Sequence, residues 1–197
     1  MPLHPSAGSR SFPAPYSAGG FLPDDLSNLA LWMRADSGVA TSGARQFTAA
    51  NTEYFTVADH ADLSFVDEDF TFSAWVYFDS TTYAPICAKG AASAAGEYSL
   101  YRWTDGKLYW HVTDSATSTT VGTTAALSNG QWYHIIARHD STANTISMRI
   151  DDGGGETPST AYSAGCHDGT DPFRIGRDLS TNYVDGRISR VGLWGRI

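Results

Sequence analysis

Residues 67–79, DEDFTFSAWVYFD, alternate with a period of two. Phe70, Phe72, Ala74, Val76 and Phe78 fall on one side of an extended chain, with Thr71, Ser73, Trp75 and Tyr77 on the other. A helix would scatter the phenylalanines around its circumference, so this pattern reads as a strand. Its second side should meet water, yet it carries two large aromatics. Something has a use for that face.

The same rhythm runs through most of the chain from Arg45 onward. Leu108, Trp110 and Val112 share a side, with Lys107, Tyr109 and His111 opposite; Ile146, Met148 and Ile150 line up, as do Tyr98 and Leu100. Ser99, Tyr101 and Trp103 take the reverse side of that last segment. Strands are predicted over 46–50, 53–57, 70–78, 84–89, 97–103, 107–113, 118–123, 132–139, 144–151, 157–162, 173–177 and 186–194. Turn chemistry separates them: TDGK at 104–107, SNGQ at 128–131, DDGGGE at 151–156 and HDGTDP at 167–172. Many short strands with turns between them predict an all-β, two-sheet antiparallel jelly-roll sandwich.

Residues 1–23 are rich in Pro, Ser, Gly and Ala and read as an extended N-terminal arm. Residues 24–45 read as a connecting segment with a short helical turn capped by Asp24 or Asp25, and 46–197 as the jelly roll. The N-terminus lacks the basic start and apolar run of a signal peptide, so the chain is expected to be intracellular at synthesis or else a mature fragment of something larger, its initiator Met favouring the first. A formal charge of −8 without a basic run argues against nucleic-acid binding, and no apolar window is long enough for membrane insertion. Cys87 and Cys166 lack metal-type spacing and read as two free thiols in preference to a disulfide; the six histidines are scattered.

Several segments, in order, resemble the laminin G-like, concanavalin A-like jelly-roll domains: RQFTAANTEYFTVADHADLSFVDEDFTFSAWVYF, CAKG, EYSLYRWTDGKLYWHV, LSNGQWYHIIARHD, NTISMRIDDG, PFRIGRD and VDGRISRVGLW. The resemblance covers about residues 45–194 and implies two packed antiparallel sheets. It also implies functions from sugar binding to protein binding to glycoside hydrolysis. Hydrolases of this fold set two glutamates on one strand, and none of Glu53, Glu68, Glu97 and Glu156 has an acid two or four residues away in a strand. Asp67 and Asp69 precede the long strand and read as turn formers. The chain is therefore expected not to be an enzyme, and to need no cofactor. Calcium is the one metal the resemblance allows, through positions resembling its site: Asn51, Glu53 and Asp185.

Trp75, Tyr77, Tyr101, Trp103, Tyr109 and His111 are the candidate surface for a carbohydrate or protein partner, provided their strands lie side by side. Freestanding domains of this layout look like bacteriophage virion components, such as capsid decoration or tail appendage proteins. That likeness implies a structural role in a homo-oligomer, located in the virion beside other virion structural proteins. The alternative is a carbohydrate-binding or adhesion module, extracellular or at the cell surface, with a cell-surface glycan as partner. The chain stops at WGRI where relatives continue, so the closing sheet edge is expected to be open to a neighbour.

Overall fold

The computed structural model describes residues 29–33, 44–90, 96–151 and 157–195, with 29–33 and 151 followed through their backbone. Among the described residues there are thirteen strands: β1 Leu29–Met33, β2 Arg45–Phe47, β3 Phe55–Val57, β4 Phe70–Phe78, β5 Ala84–Lys89, β6 Tyr98–Arg102, β7 Leu108–Thr113, β8 Ser118–Gly122, β9 Trp132–Asp140, β10 Thr145–Asp151, β11 Ser159–Ala161, β12 Phe173–Ile175 and β13 Gly186–Trp194. They form two antiparallel sheets. One has seven strands in the order β1-β13-β4-β9-β10-β11, with β2 also paired to β13; the other has six, β3-β12-β5-β6-β7-β8. Single 3-10 turns at Ala49–Asn51 and Ala61–Leu63 are the helical elements among the described residues.

The five apolar residues of β4 are all fully buried, and its other residues are half-buried. Its neighbour β9 answers in register, Phe72 facing Ala137 and Val76 facing Tyr133, so large and small groups alternate across the pair. From the opposite sheet come Leu100, Tyr98 and Trp110; the Trp110 ring lies 5.8 Å from that of Phe70, and its Nε1 donates to the Arg138 carbonyl at 3.1 Å. Each such side chain, fully buried, contributes about 1.5–3 kcal/mol. This interlayer holds the sheets together.

Two cations point into the sandwich. Arg102 shares its side of β6 with Tyr98 and Leu100, and its guanidinium donates to the carbonyls of Ser80, Gly106 and Leu127 and to Asn129 Oδ1 while lying 4.8 Å over the Phe78 ring. Lys89 Nζ sits 2.6 Å from both Asp59 Oδ1 and Glu97 Oε1 and also donates to the carbonyls of Asp171 and Gly169. A buried charge requires such a complete set of partners, so each cation fastens several loops to the six-stranded sheet.

Two differences from the sequence reading bear on the surface. The connecting segment 24–45 contains a strand: β1 pairs with β13, Leu31 opposite Leu193 and Met33 opposite Val191. The cap at Asp24 or Asp25 expected to open a helical turn lies outside the described residues, as does the arm at 1–23. The closing edge is consequently not open. β13 is flanked by β4 on one side and by β1 and β2 on the other, so backbone from 29–33 and 45–47 occupies the ladder expected to meet a neighbour. One extra residue in β13 between Ser189 and Gly192 forms a bulge, with Arg190 at φ 51°.

Candidate functional site

The six aromatic candidates do not form one surface. Trp75 and Tyr77 lie on β4 of the seven-stranded sheet; Tyr101, Trp103, Tyr109 and His111 belong to β6, β7 and their turn in the other sheet. Both groups point away from the interlayer, on opposite sides of the sandwich. Period-two patterning assigns a side to each residue but not a sheet, which is why the sequence merged them.

On the seven-stranded face the rings are largely engaged with one another. Trp75 stacks on His134 with centroids 5.0 Å apart and planes at 17°, and Ser73 Oγ lies 3.0 Å from His134 Nε2. Tyr77 packs at 5.6 Å against Trp132, and the Arg187 guanidinium lies 4.5 Å over the Tyr77 ring. Thr71, His134, Ser189 and Trp194 also all have partners. A cleft of about 320 Å³ remains, lined by Ala44, Trp75, Trp132, Ser189 and Arg190.

The six-stranded face is built differently. Tyr101 stacks on Tyr109 at 5.7 Å, and Tyr83, which the sequence reading passed over, joins Tyr101 at 5.6 Å and Trp103 at 5.2 Å. Trp103 is 49% exposed. The Tyr109 ring lies flat over Gly122, where any Cβ would sit 2.6 Å from ring carbon Cε1. Its hydroxyl donates to Asp105 Oδ2 at 2.7 Å, while the Lys107 amide donates to Oδ1; these bonds hold the Asp105 carboxyl below its usual range. Tyr101, Trp103, Tyr109 and Thr120 line a cleft of about 280 Å³.

Beside the rings runs a polar row set by strand register: Thr56, Arg174, Ala88, Ser99, His111 and Thr120 lie opposite one another across β3, β12, β5, β6, β7 and β8. Ser99 and His111 are only 3% and 7% exposed. His111 Nδ1 lies 2.9 Å from Thr120 Oγ1, while His111 Nε2, Ser99 Oγ and Arg174 Nη1 are buried without a hydrogen-bond partner. Burial holds the His111 imidazole below its ordinary pKa.

The acids are placed elsewhere. Asp69 accepts from the Ser141 amide and hydroxyl, Glu97 pairs with Lys89, and no carboxylate is among the described residues lining either aromatic cleft. Burial raises the Glu97 carboxyl, with Lys89 opposing. Glu156 lies outside the described residues. Cys87 and Cys166 are free and buried, and burial raises both thiols well above their ordinary range.

The positions expected to hold calcium are Asn51, Glu53 and Asp185. Glu53 gives one oxygen to Arg45 Nη2 at 2.8 Å and the other to the Thr48 amide at 3.0 Å, so an arginine already neutralises it. Asn51 ends an exposed 3-10 turn, and the Asp185 carbonyl accepts from the Asp79 amide. Among the described residues no group of three or more His, Cys, Asp or Glu side chains is gathered to hold a metal.

Known structures share this architecture. The carbohydrate-binding module CBM40 of the Ruminococcus gnavus IT-sialidase, bound to alpha2,3 sialyllactose, superposes with a TM-score of 0.63 at 12% identity, covering 86% of this chain and 93% of that one. Domain 4 of the extracellular arabinanase AbnA from Geobacillus stearothermophilus, in complex with arabinotriose, gives 0.60 at 16% identity, covering 84% and 76%. Domains LG4-5 of the mouse laminin alpha1 chain give 0.53 at 18% identity; the match covers 71% of this chain but only 40% of the laminin fragment. At these identities the likeness shows the fold alone. No curated protein matches the chain. The family model for the concanavalin A-like lectin/glucanases superfamily matches residues 48–197, from the turn after β2 through the closing strand β13. With the two-sheet sandwich and that match in agreement, the chain belongs to the concanavalin A-like lectin/glucanase superfamily.

Proposed function

We propose that this protein is a non-catalytic carbohydrate-binding module that takes a glycan on the outer face of its six-stranded sheet. The observation that carries the reading is the half-exposed Trp103, framed by Tyr83 and Tyr101, beside a row of outward polar groups with unmet hydrogen bonds. Sugar rings offer apolar faces to aromatics and hydroxyls to polar groups, which matches this pairing. The glycans in the Ruminococcus and Geobacillus structures support the same class of ligand. The Asp105 carboxylate beside the platform is held by the Tyr109 hydroxyl and the Lys107 amide, which suits a structural role better than hydrolysis. An extracellular or cell-surface glycan is the fitting partner. The virion role, drawn from the likeness of freestanding jelly rolls with an extended arm, gains nothing from the described residues.

A glycan array probed with the protein and with Trp103→Ala and Trp75→Ala tests this. Binding is expected to vanish with Trp103→Ala and persist with Trp75→Ala. Silence of the unmodified protein across the array, or equal loss in both variants, overturns the reading.

A further inference from the structure

Resting on that reading of the same surface, we infer that the polar row beside the aromatic platform selects an acidic sugar, Arg174 taking its carboxylate and Ser99 and His111 its neighbouring hydroxyls. Charge comes first. Arg174 is the middle residue of β12, half-buried, and its Nη1 is shut from solvent without an acceptor. The described ion pairs all use other cations: Arg45, His60, Lys89 and Arg187. A guanidinium is always charged and offers donors in a planar fork, whose best match is a carboxylate held by two parallel bonds. At a net charge of −8 the protein repels anions at long range; among the described outward cations without an ion pair, Arg174 is set apart by its buried Nη1.

Position comes second. Arg174 lies in register with Ser99 across Ala88, which carries only a methyl group between them. Ser99 and His111 then follow on the next two strands, each more than nine-tenths buried and each with an unpartnered polar atom. Such atoms are costly to leave unpaired, and a hydroxyl can satisfy either a donor or an acceptor. Tyr101 and Tyr109 lie two residues further along the same strands as Ser99 and His111, on the same side. At about 4.8 Å per strand and about 3.4 Å per residue, Arg174 and Tyr101 stand roughly 12 Å apart at their backbones. A short oligosaccharide spans that distance, with one ring on the aromatics and a charged one at the arginine.

Uronates and sialates share the carboxylate, so two matched pairs of probes separate them: tri-galacturonate against its full methyl ester, and 3′-sialyllactose against lactose. Each is titrated calorimetrically into the unmodified protein, Arg174→Gln and Trp103→Ala. The acidic member of one pair is expected to bind at least tenfold tighter than its neutral counterpart. Arg174→Gln erases that preference and leaves the neutral member within twofold, whereas Trp103→Ala weakens both members alike. Arg174→Lys, which keeps the charge but loses the fork, should retain part of the preference and serves if the glutamine variant fails to fold. Equal binding of both members, a preference that survives in Arg174→Gln, or silence toward all four probes overturns the inference. The glycan array above then decides separately whether neutral sugar binding stands.

Discussion

The outer faces of the two sheets carry aromatics in the same two-residue rhythm, yet their rings have different occupations. On the seven-stranded face Trp75 has His134, Tyr77 has Trp132 and Arg187, and Ser73, Thr71 and Ser189 beside them have partners. On the six-stranded face Trp103 stands half in solvent, and three polar atoms of the neighbouring row lack partners. Aromatic content therefore does not mark a binding surface in this fold. Unsatisfied hydrogen-bonding capacity beside exposed rings does, because a ligand hydroxyl can relieve it in place of water. The six-stranded sheet also carries the two inward cations, so its loops are fixed from beneath while its upper surface stays unpaired.

The largest test of this contrast concerns the inward charges. Lys89→Met leaves Glu97 and Asp59 without their ammonium and is expected to cost about 3–5 kcal/mol by urea unfolding. Arg187→Met, at the exposed ion pair of the other face, should cost less than about 1 kcal/mol. Comparable losses would break the contrast between a pinned sheet and a superficial pair. Next comes ligand affinity: by calorimetry, Trp103→Ala is expected to weaken glycan binding by about 2 kcal/mol, roughly thirtyfold, while Trp75→Ala changes it by less than twofold. Stability should run the other way. Trp75→Ala forfeits the His134 stack and lowers stability by about 1 kcal/mol, whereas Trp103→Ala stays within about 0.5 kcal/mol in a thermal melt.

The smallest effect is a pH dependence. Burial depresses the folded pKa of His111 below its ordinary 6.5, so the unfolded chain takes up a proton first as pH falls. The stability from keeping His111 neutral is thus present above about pH 6.5 and lost as pH falls through the depressed folded value. Melting temperatures measured from pH 7.5 downward should decline, and His111→Asn should flatten the decline; an unchanged slope assigns it to other groups.

The strands were legible because burial on one face leaves its mark at every second residue. Strands at 70–78, 84–89 and 186–194 appear with the predicted limits, and Phe72, Leu100, Trp110 and Ile146 are buried as the alternation requires. β1 was not legible: LALWM is a short apolar run whose extended form depends on β13, more than 150 residues away. Sheet membership was equally hidden, since register with a distant strand leaves no local trace, and the six candidate aromatics were merged for that reason. Arg102 and Lys89 were overlooked because charge in a strand suggests solvent. For Arg102 a usable signal existed, since it sits on the same parity as Tyr98 and Leu100. The bulge between Pro85 and Cys87 shifts the register of β5 and hides the equivalent clue for Lys89.

Leu29 lies directly across from Trp194 on adjacent antiparallel strands. The first and the last described strands are therefore next-door neighbours on one rim. A unit with that geometry can be spliced into a surface loop of a host protein, or strung beside other units, without prising its layers apart. Joining Leu29 to Trp194 by a short linker and cutting at the 140–145 hairpin should yield a circular permutant that still folds.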